Sequence, residues 1–111
     1  MNINEYMATE VMGWHIEVLP IVDDNSLTAE CWVQEDGEGV IIVNGWHPDT
    51  DIAQALMCAD KFGMWRIAKN QYTGEISFTL WEGGGVYIEY ANTLDELPLA
   101  ICEAIREAVE R

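Results

Sequence analysis

Apolar and polar positions alternate along three stretches in the second half of the chain. From Met64 to Gln71, Trp65 and Ile67 fall on one side, Arg66 and Ala68 on the other. Glu75 to Trp81 repeats the pattern, setting Ile76, Phe78 and Leu80 against Ser77, Thr79 and Trp81. Val86 to Ala91 then aligns Val86, Ile88 and Tyr90. A period of two is that of a pleated strand with two different faces. Tyr72-Thr73-Gly74 and Gly83-Gly84-Gly85 supply short turns, so these strands predict an antiparallel meander.

Elsewhere the period lengthens to three and four. Between Trp46 and Gly63, Ile52, Leu56, Ala59 and Phe62 predict the apolar face of a central helix. Pro48 ends what precedes it, and Asp49, Thr50 or Asp51 can accept from the free N–H groups of the first turn. Lys61 suits the last turn of that helix, and Gly63 suits a left-handed closing residue. A final helix follows Thr93-Leu94-Asp95-Glu96, which has the form of a capping box, with regular helix expected from about Pro98. Leu97, Ile101, Ala104, Ile105, Ala108 and Val109 make its apolar stripe, opposite a solvated face of Glu103, Arg106, Glu107 and Glu110. A first helix is expected over Ile3 to Met12. Asn2 and Glu5 have capping-box spacing, with Asn4 as the other candidate cap, and Gly13 is the stop.

The region between the first and central helices is less regular. Trp14, Ile16 and Val18 alternate with His15, Glu17 and Leu19, which predicts a strand that Pro20 confines to a sheet edge or a loop. Asp23-Asp24-Asn25-Ser26 is a turn cluster. Cys31-Trp32-Val33 and Val40-Ile41-Ile42-Val43 flank a Gly-containing link that includes Asp36-Gly37, the signature of a hairpin. Asn44-Gly45 breaks its second strand. The whole predicts an α+β fold of the α/β/α sandwich type. Its antiparallel sheet comprises a three-stranded meander and an N-terminal hairpin, packed with three helices. At 111 residues, one domain is the natural reading.

Charge changes the picture most. Twenty Asp and Glu face five Lys and Arg, a formal net charge of −15. Phosphate contacts need the opposite sign, so direct nucleic-acid binding is not expected, whereas a basic partner could be steered by this field. No apolar run reaches the ~20 residues of a membrane span, and the first residues lack the basic and apolar segments of a secretory signal. A cytoplasmic location is therefore expected. Cys31, Cys58 and Cys102 have no CxxC spacing and read as reduced, buried thiols.

Candidate chemistry is sparse. His15, His47 and the three cysteines show no zinc spacing, and no metal or other cofactor is expected. Gly83-Gly84-Gly85 is followed by a strand rather than by a Lys or a helix, which argues against a phosphate loop. Ser26 and Ser77 lie in no nucleophile motif, so no catalytic residue is assigned and an enzyme is not expected. Glu35, Asp36, Glu38, Asp49 and Asp51 cluster on loops without the alternation of a calcium loop. Solvated loop charge is the plain reading of them, and a negative surface imitating DNA is the sharper one. Trp81 points away from Ile76, Phe78 and Leu80. On an open sheet face it could anchor a partner.

Met12-Gly13-Trp14 follows the first helix; Trp46-His47-Pro48-Asp49-Thr50-Asp51-Ile52-Ala53-Gln54-Ala55 opens the central one. With Leu97-Pro98-Leu99-Ala100-Ile101-Cys102-Glu103-Ala104 near the end, these segments resemble, in order, the phage ABA sandwich domain family. The resemblance implies a phage or prophage origin and a sheet between helical layers; it implies no catalytic residue. Joined to the charge, it suggests a non-enzymatic accessory protein in the host cytoplasm. Such a protein would bind and inhibit a basic, nucleic-acid-handling defence factor of the restriction or CRISPR kind. Glu35, Asp36, Glu38, Asp49, Asp51 and Trp81 are the expected contact residues. A nucleotide-sequestering binder and a homo-oligomeric virion or assembly component are the competing readings.

Overall fold

Asn2 begins the first helix by accepting a hydrogen bond from the Glu5 amide on Oδ1 at 2.8 Å, while its own amide reaches Glu5 Oε1 at 3.1 Å. In this computed structural model, which describes residues 1–20, 27–34, 37 and 39–111, that box opens α1, Ile3–Tyr6. The expected continuation to Met12 is helical but wider, a π-turn over Met7–Val11. Gly13 then takes φ +73°, and the Trp14 amide returns to the Ala8 carbonyl, so the helix stops where the glycine stands.

The chain folds as two compact units, Met1–Trp46 and His47–Arg111. In the first unit, β1 (His15–Pro20), β2 (Thr28–Val33) and β3 (Val40–Ile42) form an antiparallel sheet in that order. The expected hairpin is thus joined by the Trp14 region as a third strand. Pro20 sits at the end of β1, an edge strand, where a missing N–H costs least. Gly37 in the β2–β3 link has φ +77°, the left-handed conformation that the Asp-Gly pair announces. Val43–Gly45 closes the unit with a 3₁₀ turn. The Trp46 indole N–H then donates to the Asn4 carbonyl at 2.9 Å and stacks edge-on to Trp14, ring centroids 4.7 Å apart.

In the second unit α2 spans Ile52–Ala59, β4 Met64–Lys69, β5 Ile76–Glu82, β6 Gly85–Ala91 and α3 Leu97–Glu110. The meander is antiparallel with the order β4-β5-β6, a sheet of its own. Gly83 and Gly84, at φ +55° and +82°, make the two-residue turn whose twist matches that of the strands it joins. Helix α3 packs on β5 and β6, and α2 packs on α3. Their shared core is Ile76, Phe78 and Leu80 from the sheet with Leu97, Ile101 and Ile105 from α3, all at most 3% exposed. Each such side chain stabilises the fold by about 1.5–3 kcal/mol through burial. The α+β sandwich class follows, its strands divided between two three-stranded sheets.

Four local expectations need correction. The face that α2 buries is Ala55, Cys58 and Ala59, while Ile52 is 41% exposed and Leu56 half-buried. Small residues let two helices approach closely, and here that outweighs the size of the apolar side chain. Second, α2 ends at Ala59 with right-handed Asp60 as its cap; Lys61 lies beyond it, and Gly63 has no positive φ. Third, Thr93 does not cap by its side chain. Glu96 reaches back to the Asn92 amide at 2.8 Å, and a 3₁₀ turn over Leu94–Glu96 leads into α3 at Leu97. Val109, expected in the stripe of α3, is 39% exposed near its end.

Candidate interaction surface

Asp51 is the cap of α2, accepting from the Gln54 amide at 3.0 Å. The Gln54 side chain in turn accepts from the His47 amide, and the Thr50 and Asp51 amides both return to the His47 carbonyl. Of the two acids expected at the start of the central helix, Asp51 is held in place by its capping bond and Asp49 is half-buried inside this turn. Glu35, Asp36 and Glu38 lie outside the described residues.

Few cations are present to offset these acids. Arg106 is bound to Glu103 at 2.5 Å within α3. Arg111 donates to the Gly83 carbonyl at 3.1 Å and lies 5.8 Å from the centre of the Tyr87 ring. On β1, His15 contacts Glu17 at 2.9 Å. Five Lys and Arg can offset at most five of twenty acids, so the field of the sequence persists in the fold.

Trp81 lies on the face of the β4-β5-β6 sheet opposite α3. The register sets Met64, Trp81 and Val86 in one row across the strands, and Arg66, Thr79 and Ile88 in the next. Tyr90, opposite Ser77, extends the same face. Met64, Val86, Ile88 and Tyr90 are 57, 54, 44 and 59% exposed, and Trp81 is half-buried among them. No Asp or Glu occupies this face within the paired strands, and its one charge is Arg66, exposed and without a carboxylate partner among the described residues. Beside it, Gly63, Met64, Trp81 and Glu82 to Gly85 line a shallow depression of about 360 Å³.

The sequence aligned Val86, Ile88 and Tyr90 but did not join them to Trp81 and Met64 in one patch. The signal was present: a two-residue turn after Glu82 places Val86 beside Trp81. A second feature, the approach of Glu89 to Glu107 from β6 to α3, had no signal, because only the packing angle of the helix creates it.

Burial pushes the Cys58 thiol up to about 12, against a smaller opposing pull from Lys61. It raises Cys102 further, with smaller contributions from Cys58, Asp49 and Glu103. All three cysteines are buried free thiols, and the raised Cys58 and Cys102 are poor nucleophiles and poor metal ligands. Among the described residues no group of three or more His, Cys, Asp or Glu is placed to hold a metal ion. No described helix is long and apolar enough to cross a membrane.

Comparison with known proteins gives a family and a fold. The model of the Phage ABA sandwich domain matches residues 5–105. A crystal structure of a phage protein from Bacillus cereus ATCC 14579 superposes with a TM-score of 0.62 at 21% identity, covering 98% of this chain and 85% of its own. At that identity the likeness is one of fold. No curated protein matches the chain.

Proposed function

The chain belongs to the phage ABA sandwich domain family, and on that premise we propose that it is a non-enzymatic phage accessory protein that binds and inhibits a host defence factor. The target is a protein with a basic, nucleic-acid-handling surface. The observation that carries this reading is the acidic charge left over once the cations are accounted for. Arg106 is engaged by Glu103 and Arg111 by a carbonyl and a ring, against twenty acids in the chain. A field of that sign and size attracts a surface built for phosphates and repels nucleic acid itself. Glu35, Asp36 and Glu38, between β2 and β3 in sequence, with Asp49 and Asp51 at the start of α2, are the proposed contact acids. The capping bond of Asp51 keeps its carboxylate from wandering, which favours a defined contact.

The test is kinetic. Host proteins retained on the immobilised chain are identified and purified, and association rates are measured across a salt series. Screening by salt should slow association much more than it changes dissociation. Reversing charge at Glu35, Asp36 and Glu38 should slow association more than reversing Glu103, Glu107 and Glu110, because Arg106 and Arg111 already dilute the field of α3. An on-rate flat with salt, or a slower α3 variant, refutes the acidic contact.

A further inference from the structure

We propose that the acid-free face of the β4-β5-β6 sheet is covered by a second copy of this chain, in an isologous pair. A basic partner needs acids where it touches, and between Met64 and Tyr90 the paired strands place none on this face, the next acid being Glu75 just outside β5. A copy of the same chain needs the reverse: two bodies of charge −15 repel each other least where neither presents a carboxylate. The face offers Met64, Trp81, Val86, Ile88 and Tyr90, the aromatic, Met and aliphatic composition that interface centres favour, together with one Arg.

The register also makes the face self-complementary. A two-fold axis running along β5 between two such sheets lays β4 of one copy over β6 of the other, with the sheets about 10 Å apart. Arg66, in one row with Thr79 and Ile88, then stands over Ile88 of the second copy. One pleat further is the exposed ring of Tyr90, within reach of a guanidinium and worth a cation–π contact at both symmetric positions. Met64 meets Val86 in the same way, and Trp81 lies near the axis beside its own copy. These six side chains are far fewer than the roughly 20–30 residues a side of a standard interface. The pair is therefore in exchange with the monomer and depends on concentration.

This pairing is separate from binding by the acidic loops, and salt distinguishes them. Between 0.1 M and 1 M salt the Debye length falls from about 10 Å to about 3 Å, which relieves repulsion between copies and weakens attraction to a basic partner. Mass should be measured by sedimentation over micromolar to millimolar chain at both salts. The expected result is a rise from 12.5 kDa toward twice that mass with concentration, stronger at high salt. Ile88→Arg sets a cation against Arg66 of the other copy and should weaken pairing at least tenfold. Arg66→Glu, at a second exposed position, should weaken it too, and R66E/I88R should recover pairing relative to I88R. Leu94→Arg, 74% exposed and outside the sheet, should change nothing. Circular dichroism checks the fold of each variant. A monomer under all conditions, pairing that weakens with salt, or pairing unaffected by both I88R and R66E overturns the proposal.

Discussion

Glu89 on β6 and Glu107 on α3 bring their carboxyl groups together on the face of the second sheet that the helix covers, close enough for one to donate to the other. One of the two must carry a proton for that bond to exist. The bond to Glu107 lifts the Glu89 carboxyl from an ordinary 4.5 to about 7, aided by burial and by the charges of Glu107 and Glu103. Where α3 meets β6, the chain thus titrates in the neutral range.

The sign of the effect is fixed by that upward shift. Its contribution to stability is complete below the ordinary pKa of 4.5 and is lost as pH rises through about 7. Glu89→Gln keeps a donor for Glu107 without the proton. Its urea midpoint should fall less steeply than that of the wild type between about pH 5 and about pH 8, and should be the higher of the two at the upper end. Parallel slopes would mean that the two carboxyls do not share a proton.

Removing the cap of α2 tests how much that short helix relies on one side chain. Asp51→Ala leaves the Gln54 amide without its acceptor and should cost about 1 kcal/mol. Asp51→Asn should retain most of that stability. Chemical denaturation of the three proteins decides it, and equal midpoints for Ala and Asp would assign Asp51 no capping role.

Gly84 offers a backbone test. An added Cβ meets nothing within 4 Å, so the effect of Gly84→Ala is purely conformational. At φ +82° it should destabilise the protein by roughly 1 kcal/mol. An unchanged thermal midpoint would show that the turn relaxes to another form.

Thiol chemistry reports on the core of the second unit. Cys58 and Cys102 are fully buried, and both thiols are held well above the usual range. Iodoacetamide near pH 8 should leave both unmodified in the native protein and alkylate both in denaturant, as read by peptide mass. Modification of either at the rate of an exposed thiol would mean that the α2–α3 contact opens readily.

Strands were easier to foresee than faces. The meander was legible because Ile76, Phe78 and Leu80 alternate with polar residues and glycines mark the turn. The α3 stripe was legible because one side of that helix is covered, from Leu97 to Ala108. In α2 the rule that large apolar residues point inward failed, since contact with α3 selects Ala55, Cys58 and Ala59. Gly63 had the right identity for a closing residue, but the chain leaves the helix through right-handed Asp60. Of the expected contact residues, Asp51 was foreseeable both as an acid and as a cap. That Trp81 belongs with Met64 and Tyr90 required the register, which follows from turn length rather than from residue type.

That dependence on turn length has a consequence for how this chain can vary. With only Gly83 and Gly84 between paired Glu82 and Gly85, the hairpin has no slack. Deleting one glycine would slide β6 by a residue and exchange its two sides. Val86, Ile88 and Tyr90 would be driven under α3, while Glu89 would emerge on the outer face and bring a carboxylate there. Substitution at this turn alters a local angle; insertion or deletion redistributes charge across an entire surface.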